Sequence, residues 1–268
     1  MKIALFIWRV RTSAIPFAIL RMALDRFALR KVQGLKFVKL LGTGKGETFT
    51  PRDADLWQWA LLVVGTEAAI SEVKKSPLVK RWNRRVSESA NFDLAPISSH
   101  GRWAKQTPFT NETSEIQATK NHTGQVAAIT RARIKWSKNL TFWRAVPPVI
   151  TELSKAPGLI AAIGIGEAPL GLQGTFSVWR DAQSLRDVVR QVGARIVQPR
   201  RHAQRKACLQ RFALGVIQLG GLARFHNVIP LACSALDNAA TAREQWVLTL
   251  PSEHPMAAAV SATSSSSQ

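Results

Sequence analysis

The chain states one short passage twice, and a repeat of that length allows few architectures. Residues 34–46 read GLKFVKLLGTGKG, followed by an apolar run WQWALLVV and then TEAAISEV. Residues 158–169 read GLIAAIGIGEAP, followed by LQGTFSVW and DAQSLRDV. Each copy opens on Gly-Leu and carries a second glycine eight residues on, Gly34 to Gly42 and Gly158 to Gly166. An apolar strand, an N-cap residue (Thr66, Asp181) and a helix follow in both. Matched elements at matched spacing point to a duplicated unit.

Hydrophobic periodicity fills in the rest. It predicts a strand over 2–8, an amphipathic helix over 13–30, strands over 35–41 and 57–64, a helix over 67–75 and a last strand over 87–94. The second half gives a strand over 125–134, a helix over 140–155 interrupted by Pro147-Pro148, strands over 159–165 and 172–179, a helix over 182–191 and a final strand over 216–228. This series is the ferredoxin-like split unit, which leaves one sheet face apolar and uncovered. The expected fold is therefore α+β, with two ferredoxin-like repeats forming a dimeric-α/β-barrel-type fold within one chain. The expected boundaries are a first half over 1–95, a linker over 96–123 that carries GRWAKQTPF, and a second half over 124–238, diverging after 191. An Ala/Ser-rich tail over 239–268 reads as disordered.

Thirty-seven Lys and Arg against 17 Asp and Glu give a net charge of +20, which favours an anionic partner. The densest basic stretch, Arg190 to Arg211, holds seven Lys or Arg and no acid. No RNA-recognition, zinc-finger or helix-turn-helix pattern accompanies the charge, so nucleic acid is not the expected partner. Cys208 and Cys233 show neither CxxC spacing nor a disulfide framework, and a reducing compartment is the default. The apolar start is broken by Arg9, Arg11, Pro16 and Arg21, and it reads as strand and helix rather than as a signal peptide. No uninterrupted apolar run is long enough to span a bilayer, so membrane contact is expected to be peripheral. The expected location is the cytoplasm, with attachment at the inner face of the membrane as its peripheral form.

GTGKGET imitates a phosphate loop but has Lys39 where the first glycine belongs and Gly46 where a Ser or Thr is required. The five histidines show no paired-ligand spacing. One histidine is nevertheless enough to ligate a haem iron, and His202 stands in RRHAQRK, where Arg201 and Arg205 could pair with propionates. The plainer account of that segment is a solvated basic helix end. Trp59, Trp136 and Trp179 read as core residues, whereas Trp103 in GRWAKQTPF and Trp143 in TFWRAVPP stand beside arginines in less regular segments, at a pocket edge. The longer connection of the first copy, GETFTPRDAD, is of the kind that borders a pocket. The chain contains no tyrosine, which removes phenolic groups from any mechanism.

Taken in order, GLKFVKLLGTGKGETFTPRDADLWQWALLVV, GRWAKQTPF, GQVAAITRARI, TFWRAVPPV and GLIAAIGIGEAPLGLQGTFSVW resemble the successive motifs of the spheroidene monooxygenase family, the acyclic-carotenoid 2-ketolases. The similarity covers about residues 30 to 190. The resemblance implies an oxidoreductase that uses O2 and electrons from reduced ferredoxin, with haem as cofactor and an acyclic methoxylated carotenoid such as spheroidene as substrate, ketolated at C2. Under this reading His202 is the axial metal ligand, flanked by Arg201 and Arg205. Arg102, Trp103, Phe142, Trp143 and Arg144 line the substrate pocket, and Gly42, Gly44 and Thr50 shape its loop. The catalytic residues themselves stay unassigned. The stretch LGVIQLGGLARF keeps Leu222, Ala223, Arg224 and Phe225 of the family's pattern but lacks its Trp, its Tyr and both its Glu, a departure expected to impair turnover. Two other readings stand beside this one: a non-catalytic haem- or lipophile-binding α/β barrel, and a basic nucleic-acid-binding protein with a steep salt dependence.

Overall fold

The computed structural model of the chain describes residues 1–44, 53–100, 102–109, 124–134, 153–167, 172–196, 209–219 and 224–226. All of them belong to one compact unit, Met1–Val228. In chain order the elements are β1 (Lys2–Val10), a 3-10 turn (Thr12–Ala14), α1 (Ile15–Leu29), β2 (Leu35–Gly44), β3 (Ala54–Gly65), α2 (Glu67–Lys75), α3 (Pro77–Asn83) and β4 (Val86–His100). After these come β5 (Val126–Ile134), β6 (Leu159–Gly166), β7 (Leu172–Trp179), α4 (Ala182–Ile196), β8 (Leu209–Leu219) and β9 (Arg224–His226).

Every strand pairing is antiparallel, in the order β1-β3-β2-β6-β7-β5-β8-β4-β9, with β1 also paired to β4. The α+β class stands, but the expected dimeric-α/β-barrel-type fold of two matched ferredoxin-like repeats is corrected. The ladders β2–β6 and β4–β8 carry the hydrogen bonding from one half into the other, so the strands form one nine-stranded sheet rather than the two four-stranded sheets expected to close on each other as a barrel. Beyond the repeat, β9 adds a further strand. Alternation in a sequence tells which face of a strand is apolar, not which edge its N–H and C=O groups will pair with, so the joined sheet was not legible in it.

Locally the duplication is plain. Gly34 and Gly158 both adopt positive φ, 81° and 84°, a conformation that suits glycine. The amide of Thr66 donates to the Gly34 carbonyl at 3.1 Å, and that of Arg180 to the Gly158 carbonyl at 2.8 Å. Both copies shift register at the same place, between Leu35 and Phe37 and between Leu159 and Ala161. Both helices that follow are capped by the expected residue: Thr66 Oγ1 accepts from Ala69 N at 3.2 Å, and Asp181 Oδ1 from Ser184 N at 2.7 Å. The second glycines of the repeat, Gly42 and Gly166, are register partners in the β2–β6 ladder.

The two sheet faces are packed differently. On one, Phe6, Trp8, Leu61 and Val63 meet Ala18, Ile70, Val79 and Trp82 from the helices of the first half. Trp8 and Trp82 stack with centroids 4.8 Å apart, and Val126, Ala128 and Trp179 pack similarly with Leu185 and Val188 of α4. The opposite face joins both halves in one apolar cluster that includes Leu5, Phe37, Leu41, Leu62, Phe92, Ile129, Ile165 and Phe176. Of the expected core tryptophans, Trp179 is buried and Trp59 half-buried, while Trp136 lies outside the described residues. The helix α3 was not expected, although its start is written as Ser76-Pro77: Ser76 Oγ accepts from Val79 N at 3.3 Å with proline at the first helical position. The helix expected over 140–155 falls almost wholly outside the described residues.

Candidate functional site

Strand alternation carries charged residues into the apolar face shared by the two halves. In β2 the row Phe37, Lys39, Leu41 faces inward. In β5 the row is Ala127, Ile129, Arg131, and on β6 Ile163 and Ile165 lead on to Glu167, the residue after the strand. Two cations and one anion thus occupy positions where the pattern calls for apolar side chains. Burying one such group alone would be costly, and together they neutralise one another apart from one positive charge.

Glu167 is the centre of the cluster. Its Oε2 accepts from Lys39 Nζ at 2.5 Å. Its Oε1 accepts from Trp103 Nε1 at 2.5 Å and from Arg131 Nε and Nη2 at 2.9 and 2.8 Å. Burial by itself pushes the Glu167 carboxyl up. The Lys39 hydrogen bond and charge, the Trp103 hydrogen bond and the Arg131 charge outweigh it and hold the group below the ordinary carboxylate range. Glu167 is therefore an anion near neutral pH and is no proton donor there. Its part is to fix Lys39, Arg131 and Trp103 in place.

Trp103 closes the cluster on its aromatic side. It is 2% exposed, lies edge-on to Phe37 and Phe109 with centroids 5.4 and 6.3 Å away, and carries the Arg131 guanidinium 5.4 Å above its ring. The turn that presents it is strained. Trp103 and Gln106 exchange backbone hydrogen bonds at 2.8 and 3.0 Å, and the two residues between them, Ala104 and Lys105, have φ of 52° and 66°. Tight turns with two positive φ values favour Gly or Asn, and an alanine and a lysine there cost on the order of 1–2 kcal/mol each. Strain of this kind beside a buried charged cluster is common at functional sites.

A glycine makes the reach of Arg131 possible. Gly174 on β7 is the register partner of Arg131 on one side and of Ile165 on the other, so the strand that the Arg131 side chain crosses to reach Glu167 carries no side chain at that position. A Cβ at Gly174 would run into the Thr130 carbonyl.

Of the residues expected at the site, Trp103 is in this cluster. Gly42 and Gly44 are at the β2–β6 junction, with Gly42 opposite Gly166, the neighbour of Glu167. Arg102 is exposed and does not join the buried cluster. Thr50, Phe142, Trp143, Arg144, Arg201, His202 and Arg205 lie outside the described residues. Among the described residues no group of three or more His, Cys, Asp or Glu is placed to hold a metal ion. Sequence reasoning missed Lys39, Arg131 and Glu167. The signal was present in GLKFVKLL, VAAITRAR and IAAIGIGE, each of which sets a charge at an even spacing from apolar residues of the inward row.

The class defined by this fold and cluster is an α+β protein whose single antiparallel sheet buries a charged, aromatic-walled site contributed by both halves of the chain. No family model matches the chain. It is 37% identical over 177 residues to the spheroidene monooxygenase of Rhodobacter capsulatus, covering 65% of this chain and 71% of that protein. With the spheroidene monooxygenase of Cereibacter sphaeroides it shares 32% identity over 176 residues, 65% of this chain and 52% of that protein. The chain belongs to the spheroidene monooxygenase family, a family of oxidoreductases acting on carotenoids. In backbone alone it is similar to an aldoxime dehydratase crystallised with butyraldoxime, at a TM-score of 0.50 and 10% identity over 81% of this chain and 79% of that one.

Proposed function

We propose that the chain is a carotenoid monooxygenase that ketolates C2 of an acyclic methoxylated carotenoid such as spheroidene, with O2 and reduced ferredoxin. In each hydroxylation one oxygen atom enters a C–H bond and the other leaves as water, with two electrons and two protons consumed. A second hydroxylation at the same carbon gives a geminal diol, which loses water to the ketone.

One observation carries this reading beyond family membership. Lys39, Trp103, Arg131 and Glu167 each come from a different one of the motifs shared with the family, and in the fold they meet at one carboxylate. The adjoining apolar and aromatic face, with Phe37, Phe109, Phe92 and Phe176, suits a polyene. Lys39 and Arg131 leave one excess positive charge within the buried cluster, where a substrate oxygen could be held. Haem is the expected cofactor and would supply the oxygen activation. His202 would hold its iron, and Arg201 and Arg205 would pair with its propionates.

The test is expression of the full chain in a host that accumulates spheroidene. The expected product has one oxygen more and two hydrogens fewer, and Glu167→Gln lowers its yield at equal protein level. Absorption spectra of the chain and of His202→Ala test the cofactor. A Soret band lost in the variant supports haem at His202, and a chain without a band in either form overturns that part.

A second reading, a lipophile-binding protein without turnover, draws on the departure of LGVIQLGGLARF from the family's acidic and aromatic pattern. It predicts spheroidene that copurifies unchanged.

A further inference from the structure

The outer face of α1 is apolar where a surface helix should be polar. Ile19, Leu20, Leu24 and Phe27 are 52%, 56%, 43% and 49% exposed, and their spacing lines them along one stripe. The polarity of the helix is turned inside out. Its one acid, Asp25, is fully buried on the inner side, where it accepts from Trp82 Nε1 at 2.8 Å and pairs with Arg21. A further exposed aromatic, Trp57, 42% exposed, stands at the start of the helix, where its Nε1 donates to Thr12 Oγ1 at 3.2 Å.

The stripe is edged by cations. The guanidinium carbons of Arg26 and Arg30 lie over the Phe27 ring, 4.7 and 5.8 Å from its centroid, so both charges stand directly against the apolar stripe. With Asp25 buried, α1 presents no carboxylate outward. Among the described residues no helix is long and apolar enough to cross a membrane.

We propose that this face, Trp57 together with the α1 stripe and its arginine edge, docks on an anionic lipid surface. A bilayer interface takes up apolar side chains, tryptophan and arginine together, and the +20 chain supplies the long-range attraction. A second copy seated on the same stripe would bring Arg26 and Arg30 against like charges with no acid on the helix to answer them. The proposal concerns lipid binding alone and does not rest on the carotenoid reading.

The experiment is sedimentation of the full chain with vesicles of phosphatidylcholine, with and without phosphatidylglycerol. Wild type is expected to partition to the vesicles that contain phosphatidylglycerol. The triple variant Leu20→Ser, Leu24→Ser, Phe27→Ser removes exposed groups only, and an unchanged circular dichroism spectrum checks that it folds. Its partitioning should fall on the order of 100-fold. Arg26→Gln with Arg30→Gln should lower partitioning by about tenfold and flatten its salt dependence. Equal binding by wild type and the triple variant would overturn the proposal in favour of diffuse charge. So would a wild type that binds neither vesicle, or a concentration-dependent dimer that the triple variant abolishes while neither protein binds lipid.

Discussion

Replacing Glu167 by Gln perturbs the candidate site at its centre. The side chains of Glu167, Lys39 and Arg131 are 16%, 20% and 10% exposed, so their charges interact with little water between them. A hydrogen bond to a charged group contributes about 1.5–3 kcal/mol, and removing one partner from a buried pair costs about 3–5 kcal/mol. Glutamine keeps a carbonyl oxygen that can still accept from Trp103 or Arg131 but leaves both cations unneutralised. Its expected cost is about 2–3 kcal/mol, against about 3–5 kcal/mol for alanine. Urea unfolding at neutral pH measures both. The double variant with Lys39→Met should cost at least about 1 kcal/mol less than the sum of the two single changes, because in the Gln variant the lysine has already lost its partner. The pH dependence supplies an independent sign. The Glu167 carboxyl is held below its ordinary value of 4.5 in the fold, so its contribution is complete above that value and is lost as the pH falls through the folded one. The gap between wild type and Gln variant should therefore stay constant near neutrality and narrow in acid. A Gln variant within about 0.5 kcal/mol of wild type, or a coupling near zero with Lys39→Met, would refute the assignment of these contacts.

Trp103→Phe keeps the ring packing and removes one donor to Glu167; urea unfolding should register about 1–2 kcal/mol, and carotenoid product should fall further than in a surface control. Lys105→Asn or Ala104→Gly relieves a positive φ and should raise the urea midpoint by about 0.5–1 kcal/mol equivalent. Gly174→Ala drives a Cβ into the Thr130 carbonyl, next to Arg131 in β5, and both stability and product yield should drop, with insoluble expression as the extreme form. Gly34→Ala and Gly158→Ala should each destabilise by more than about 1 kcal/mol in the same assay, since both sites have positive φ and both new methyls meet the first turn of a helix, at Thr66 and at Ser184.

Much of the fold was written in period and punctuation. The first-half strands, α1, α2 and the Gly-Leu repeats fall where alternation and capping put them, because each is set by residues close in sequence. What escaped is non-local. β4 runs on to His100, past the expected end of its strand, because β8 offers it an edge, and LGVIQL, the stretch that departs from the family pattern, lies within that β8 ladder. The site was half legible. Trp103 stood out by its irregular, aromatic setting, whereas Lys39, Arg131 and Glu167 each look like solvated charges until three strands from two halves bring them together. No one strand reveals that its charge faces inward, because the neutralising partner lies in another.

The duplication also explains why the cluster occurs once. Counted from the positive-φ glycine of each copy, Glu167 corresponds to Thr43, and Lys39 corresponds to Ile163. The backbone at these places is matched, down to the shared register shift and the facing pair Gly42 and Gly166. The chemistry is not matched: Thr43 is buried and donates to the Gln58 carbonyl at 2.8 Å, and Ile163 packs in the apolar cluster. Two identical copies of the unit would carry the ion pair twice or not at all. Fusion in one chain lets the first copy supply the lysine and the second the glutamate, so a single charged cluster remains beside one apolar face. On the proposed function one carotenoid per chain is the stoichiometry that follows, and a titration of spheroidene in detergent that saturates at two would mean that the face around Ile163 and Thr43 binds as well without the charges.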